Sequence, residues 1–130
     1  MIAADAKVGF GFDAVEMPLP FAELVLTELG IAMLDGPVVA DRMRRLATFL
    51  TLPATTRRLP ADLQAIGVRA VPAGERLLLP GRAGHIRWLA PPSRPLTVWT
   101  AVLGTARRVA LHCDPVWTSQ PALPTVRKAA

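Results

Sequence analysis

The chain has 130 residues, of which 52% are apolar and 19% charged, and its formal net charge is +5. This composition suits one globular domain and excludes disorder of the whole chain, while Glu23 and Glu28 interrupt the longest apolar stretch before it reaches membrane-spanning length. The lone Cys113 excludes an internal disulfide, and Asp5 and Lys7 precede any signal-peptide core, so we expect a cytoplasmic protein.

The hydrophobic pattern predicts three segments: a loose N-terminus over residues 1–7, one domain over 8–113, and a flexible, proline-containing tail over 114–130. Alternation and Gly/Pro punctuation predict strands near 8–16, 37–41, 45–52, 68–72, 75–80 and 85–90. Helical periodicity predicts helices near 20–30, 60–66 and 95–111. This order indicates an α+β fold: a βαββαβ sheet with helices on one face, a β-hairpin extension and a C-terminal helix.

The predicted sheet is organised around a β-hairpin from Asp35 to Pro53. Residues 38–40 form a short strand, the charged run 41–45 turns the chain, and the apolar run 46–52 forms the second strand. Because both faces of this second strand are apolar, we expect it inside the sheet and away from a solvated edge. Seven side chains are expected in the core: Leu24, Leu29, Leu50, Ile66, Leu78, Trp99 and Leu103.

The first predicted strand carries Asp13 and Glu16, the only close pair of acids on a strand. Strand side chains alternate, so residues three apart point to opposite faces unless a β-bulge intervenes. The two carboxylates therefore make a poor metal pair, and we expect them at the surface, at a strand end. Glycines at every second position just before them indicate that the second face of the strand is open or closely approached by another group.

The charge is unevenly distributed, with a net of −6 over residues 1–41 and +11 over residues 42–130. The candidate nucleic-acid-binding residues flank the second hairpin strand: Arg42, Arg44, Arg45, Arg57 and Arg58. Clustered on one face, such arginines would bind phosphates. Thirteen of the fifteen basic residues are Arg, a bias that a GC-rich coding sequence also produces, so both interpretations stay open.

Short motifs follow one another over about residues 8–113: FDAVE at 12–16, DGPV at 35–38, an Arg-rich turn leading into Phe49, GE at 74–75 before LLLP at 77–80, IRWLAPP at 86–92 and VLGT at 102–105. Their order and spacing resemble the later half of the bifunctional DNA primase/polymerase (prim-pol) family of archaeo-eukaryotic primases. The resemblance implies an RRM-like, or ferredoxin-like, sheet with helices on one side. It also implies an active site that uses divalent metal and a nucleotide.

The family's active site combines an acid pair closing the first strand, a His after the hairpin turn and an acid beside a later strand. Here Asp13 and Glu16 are spaced by three instead of two, the His position falls within residues 46–48, and the last acid falls near Gly67. We therefore expect neither a metal site nor a cofactor, with Mg²⁺ or Mn²⁺ only if catalysis is retained. The family's N-terminal half has no counterpart here, and a late start, a truncated gene and a genuine short form stay open.

These observations predict a degenerate, non-catalytic prim-pol-like domain. It would contact single-stranded DNA or a nucleotide through the open sheet face and nearby arginines. The alternative is a protein-interaction module or truncated gene remnant without a nucleic-acid role, with a protein partner or self-association. We expect no membrane partner.

Overall fold

The computed structural model describes residues 5–81 and 84–112. The elements in these ranges are β1 (Asp5–Lys7), β2 (Asp13–Pro18), α1 (Leu19–Ile31), β3 (Val38–Asp41), β4 (Leu46–Thr51), α2 (Ala61–Ala65), β5 (Arg69–Ala70), β6 (Arg76–Leu78), β7 (Ile86–Ala90) and α3 (Trp99–His112). None of these helices has the length and apolar character needed to cross a membrane. The predicted tail, 114–130, lies outside the described residues.

Five strands form an antiparallel sheet in the order β5-β2-β4-β3-β7. The unit from β2 to β5 is βαββαβ, and its strand order is that of the ferredoxin-like fold, with β7 added at the edge beside β3. The predicted α+β fold, its hairpin and its C-terminal helix are confirmed. So is the interior position of β4, which pairs with β2 on one side and β3 on the other.

The helices cover one face of the sheet. In α1 the buried stripe is Phe21, Val25 and Leu29, spaced four residues apart, and Pro20 in the first turn supplies a backbone angle already suited to a helix. The stripe packs on the sheet side chains Val15 and Phe49. The remaining buried members of this cluster are Met17, Ala22, Val38, Ala47, Leu63, Ile66, Val68, Ala90, Trp99, Val102, Ala106 and Val109.

The second face of the sheet is not open, which corrects the sequence prediction. Strands β1 and β6 pair into an antiparallel two-stranded ribbon, and the chain around it contributes apolar side chains to that face. Val8 and Leu79 from this region pack with Leu50 and Val39 of the sheet in a second hydrophobic cluster. Burying these side chains removes apolar area from water, which stabilises the ribbon against the sheet.

The predicted strand 8–16 is wrong over its first half. Residues 9–11 form a bend between β1 and β2, where Gly9 has a φ of +93° and Gly11 a φ of +96°. A Cβ on Gly9 would lie 2.9 Å from the Cβ of Ala73, so the glycine permits both the left-handed backbone and the close approach. The alternation of Val8 and Phe12 with glycines imitated a strand, whereas Phe10 is exposed at the bend. Residues 5–7, predicted as a loose terminus, form β1.

Two predicted core residues are exposed: Leu24 at 41% and Leu78 at 65%. The residues on either side of Leu78 pack on the second cluster, so strand alternation points the side chain of Leu78 away from that cluster, toward solvent. Leu24 lies beside the buried stripe of α1, where α3 covers only part of the helix. Leu103 is half-buried, and the other four predicted core residues are buried.

Three further predicted elements are shorter in the structure. The predicted strand 68–72 reduces to two residues of β5, and the strand 75–80 reduces to β6, which pairs with β1 instead of the main sheet. Helix α3 begins at Trp99 and not at Pro95, because Thr97 forms a parallel bridge with Thr51 and so holds this segment extended beside β4.

Candidate nucleic-acid interface

The two predicted acids lie on β2 and point to opposite faces of the sheet. The pairing of β2 with β4 runs without a register shift from Asp13 opposite Thr51 to Pro18 opposite Leu46. In such a regular strand, Asp13 shares the helix-covered face and Glu16 the second face. No bulge brings the carboxylates together, so they do not form one metal-binding pair.

Asp13 and Glu16 are both buried, so the predicted surface position of the two acids is wrong. Asp13 is a structural anchor for the chain after β4. Its Oδ2 accepts a hydrogen bond of 2.7 Å from the backbone N–H of Ala54, and its Oδ1 lies 3.4 Å from Nε of Arg57. Arg57 also donates from Nη2 to the backbone carbonyl of Val71 at 2.6 Å. A buried carboxylate requires such partners, and Asp13 thereby fixes the loop that carries one of the predicted arginines.

Glu16 belongs to a chain of alternating charges on the second face. Nε of Arg69 donates to its Oε1 at 2.9 Å, and Nη2 of Arg44 lies 3.5 Å from its Oε2. The same Arg69 donates from Nη2 to Glu75 at 3.3 Å. The hydrogen bond that Arg69 donates to Glu16 raises the pKa of Arg69, against the opposing effect of desolvation, and Glu75 adds to the increase. The network links β5 and the β3–β4 turn to the segment that leads into the ribbon.

The space beside Glu16 does not fit a catalytic metal and nucleotide. A pocket of about 120 Å³ lies between the second face and the ribbon, well below the roughly 300–1,000 Å³ of typical ligand sites. Thr48 lies directly opposite Glu16, where an imidazole would be expected, and Gly67 offers no carboxylate. Across residues 5–81 and 84–112, no group of three or more His, Cys, Asp or Glu side chains is arranged to hold a metal ion. The residues present therefore do not fit the divalent metal that the resemblance implies.

The five predicted arginines separate into two groups at opposite ends of β4. The β3–β4 turn, residues 42–45, precedes β4, whereas Arg57 and Arg58 follow it. A strand of six residues spans about 20 Å, so the two groups do not form one continuous rim.

The β3–β4 turn is firmly held. The Oδ1 of Asp41 accepts hydrogen bonds of 3.1 Å from the backbone N–H groups of Met43 and Arg44. The N–H of Arg42 donates to the carbonyl of His85 at 2.8 Å, and the carbonyl of Arg45, a residue with φ of +59°, accepts from Leu19 at 2.9 Å. The turn is thus tied to both β7 and α1, which preorganises its side chains for a partner.

The arginines also differ in what their guanidinium groups bind. Arg44 and Arg57 are ion-paired with Glu16 and Asp13, whereas the guanidinium groups of Arg42, Arg45 and Arg58 have no partner among the described side chains. A cation without an internal counter-charge is the better phosphate ligand, because no ion pair must be broken first.

Sequence reasoning missed two arginines. Arg87 lies opposite Ala40 in the β3–β7 pairing, next to the turn, and its exposed guanidinium has no partner within the described part of the chain. Arg69 lies opposite Glu16 in the β2–β5 pairing. Both are charged residues in strands otherwise rich in apolar residues, but only the pairing of distant strands reveals which neighbours they face.

Comparisons of the chain with models of protein families, with curated proteins and with solved structures found no match. The resemblance to prim-pols therefore rests on the order of the short motifs.

Proposed function

We propose that this protein is a non-catalytic, prim-pol-like domain of the cytoplasm that binds single-stranded nucleic acid through the β3–β4 turn. The observation that carries the proposal is a group of exposed arginines at one end of the sheet, each without a side-chain partner among residues 5–81 and 84–112: Arg42 and Arg45 on the turn and Arg87 on the adjacent strand. The contact is electrostatic and directed at phosphates, so it is largely independent of base sequence.

The charge around the turn supports this proposal. Arg44 is paired with Glu16, and Asp41 makes no ion pair with Arg42 or Arg45 among the described residues but accepts two backbone N–H groups, so these two arginines together exceed the charge of Asp41 by one. Exposed Met43 lies between them and offers an apolar surface for a base. A nucleic-acid strand that runs along the turn toward β7 would also contact Arg87.

The proposal that catalysis is lost rests on the acids. Nucleotidyl transfer uses metal ions held by clustered oxygen ligands. Here Asp13 and Glu16 lie on opposite faces and each already neutralises an arginine. Binding a metal at either carboxylate would require breaking a structural ion pair.

The binding test is a titration of the purified protein with fluorescein-labelled oligodeoxythymidine at several salt concentrations. We expect weak binding whose affinity falls as salt rises. The double variant Arg42→Gln/Arg45→Gln should flatten the slope of log K against log salt by about one to two units, because each phosphate contact contributes about 0.7–1.

A matched control is Arg94→Gln/Arg107→Gln, which removes the same charge from arginines paired with Asp35 and Asp62. This control should leave the slope nearly unchanged. An equal change of the slope in both double variants would show that the effect comes from net charge alone and would contradict a specific role of the turn. Absence of binding at low salt would reject the proposal.

The loss of catalysis is tested by primer extension with Mg²⁺ or Mn²⁺. We expect neither the wild type nor Asp13→Ala to extend a primer. Template-dependent extension by the wild type that disappears in Asp13→Ala would contradict the proposal and make Asp13 a metal ligand.

A second candidate function is protein interaction, favoured by apolar side chains at the C-terminal end of α1. Met33, Leu34 and Val98 are exposed around a groove of about 390 Å³, and Ile31 is exposed beside it. Contiguous exposed apolar surface of this kind is typical of interaction sites. Sedimentation analysis of wild type and Met33→Ser tests self-association: association weakened by the serine would support this function, and a monomer at all concentrations would reject the self-association form.

A further inference from the structure

The edge of the sheet at β5 carries a second basic site, separate from the β3–β4 turn. A groove of about 640 Å³ runs along this edge, a volume within the range of nucleotide-sized ligand sites. Its lining residues are Arg57, Arg58, Leu59, Gln64, Gly67, Val68, Arg69 and Ala70. None of the three arginines assigned to the proposed nucleic-acid contact, Arg42, Arg45 and Arg87, lines this groove.

Two of its arginines are held in place by buried carboxylates. Arg57 is anchored through Nε to Asp13 and through Nη2 to a backbone carbonyl, and Arg69 is anchored through Nε to Glu16 and through Nη2 to Glu75. In the described part of the chain Nη1 of neither arginine has a partner, so both groups remain for a ligand. Guanidinium groups oriented in advance bind anions at a lower entropic cost than mobile ones.

The third arginine supplies the uncompensated charge. The guanidinium of Arg58 is exposed and has no partner in the part of the chain that the structure describes. Arg57 and Arg69 are paired with Asp13, Glu16 and Glu75, so Arg58 is the arginine of the groove lining whose charge no carboxylate of the described residues balances. One such charge suits one small anion better than a long polyanion.

The rest of the lining indicates what the anion is attached to. Leu59, Val68 and Ala70 provide an apolar wall, while the planar fork of Arg58, together with the Nη1 groups of Arg57 and Arg69, matches the oxygens of a phosphate. We infer that the β5-edge groove binds a phosphomonoester group carried on a nucleoside, with Arg58 as its principal ligand. This phosphomonoester belongs either to a free mononucleotide or to the end of a nucleic-acid strand, and both have the same chemistry.

The experiment is isothermal titration calorimetry of the full chain with 2′-deoxyadenosine 5′-monophosphate, and with deoxyadenosine as the probe lacking phosphate. We expect saturable binding of the monophosphate and none of the nucleoside. Arg58→Gln should weaken monophosphate binding about 10-fold or more, since a hydrogen bond to a charged group contributes about 1.5–3 kcal/mol.

The matched control is Arg94→Gln, which removes the same charge from an arginine that is paired with Asp35 and lies outside both the groove and the β3–β4 turn. Equal weakening by both variants, equal binding of nucleoside and monophosphate, or no saturation at millimolar monophosphate would overturn the inference. Because Arg58 lies apart from the turn, loss of monophosphate binding with retained oligonucleotide binding separates this site from the proposed function.

Oligonucleotides with and without a 5′-phosphate distinguish the two sources. Tighter binding of the phosphorylated strand, removed by Arg58→Gln, identifies a strand end as the ligand. Binding of the free monophosphate with no preference between the two oligonucleotides identifies a mononucleotide. Either result supports the phosphomonoester site.

Discussion

Replacing Leu50 with Ala tests whether the ribbon covers the second face of the sheet. Leu50 lies on central strand β4, is fully buried, and packs in the cluster with Val8, Val39 and Leu79. On an open sheet face the same leucine would contact water, and its truncation would cost little. The size of the loss therefore measures how well that face is covered.

The expected loss follows from the side chain removed. Leu→Ala deletes three carbons, and at about 0.8 kcal/mol per buried methylene the transfer term is about 2.4 kcal/mol. The cavity that remains adds to this, so the free energy of unfolding should fall by about 2–5 kcal/mol. The control Leu52→Ala makes the same change at a side chain that is 46% exposed just beyond β4, and it should cost less than about 1 kcal/mol.

The assay is urea unfolding followed by far-UV circular dichroism, with both variants compared at unchanged m-value. Val8→Ala probes the ribbon side of the same cluster and should lose about 1–2 kcal/mol, because two buried methyl groups are removed. Similar small losses of unfolding free energy for Leu50→Ala and Leu52→Ala would show that this face of the sheet is not covered. The face would then again be a candidate surface for nucleic-acid contact.

Two further changes test local features of the fold. Gly36→Ala should destabilise the protein by about 1–3 kcal/mol or more, because the new Cβ would lie 2.8 Å from the backbone N of Thr97. The control Gly30→Ala in α1 places a Cβ with nothing within 4 Å, so it should be neutral or stabilising by up to about 1 kcal/mol. Equal melting temperatures of the two variants would contradict the close approach at Gly36. Glu16→Gln should lower the free energy of unfolding by about 1–2 kcal/mol, which is less than for a fully buried ion pair because the guanidinium of Arg69 is partly exposed. Urea unfolding measures this loss. A variant as stable as the wild type would show that the charge network does not stabilise the fold.

Local pattern was sufficient to predict the elements that form the sheet and its helices. The apolar run of β4 indicated a strand buried on both faces, and the proline and glycine boundaries located the hairpin around it. Strand alternation alone predicted that Asp13 and Glu16 would point to opposite faces, and the unbroken register of β2 confirms it. These features depend on residues close in sequence, whose periodicity is a direct consequence of backbone geometry.

Pattern failed where one element is covered by another that is distant in the chain. Phe10 shares its alternation with buried Val8 yet is exposed, because the glycines beside it turn the backbone instead of extending it. Leu78 is as apolar as its neighbours, but the pairing of β6 with β1 faces it away from the cluster.

The candidate sites show the same division. Sequence identified the arginines, because their charge is independent of context, but it could not tell a free guanidinium from one committed to an internal carboxylate. Arg57 is paired with a residue 44 positions earlier, whereas the guanidinium of the adjacent Arg58 has no partner among the residues that the structure describes. Tertiary structure decides this difference, since the energy of an ion pair depends on the distance and burial of charges brought together by the whole fold and not on their separation along the chain.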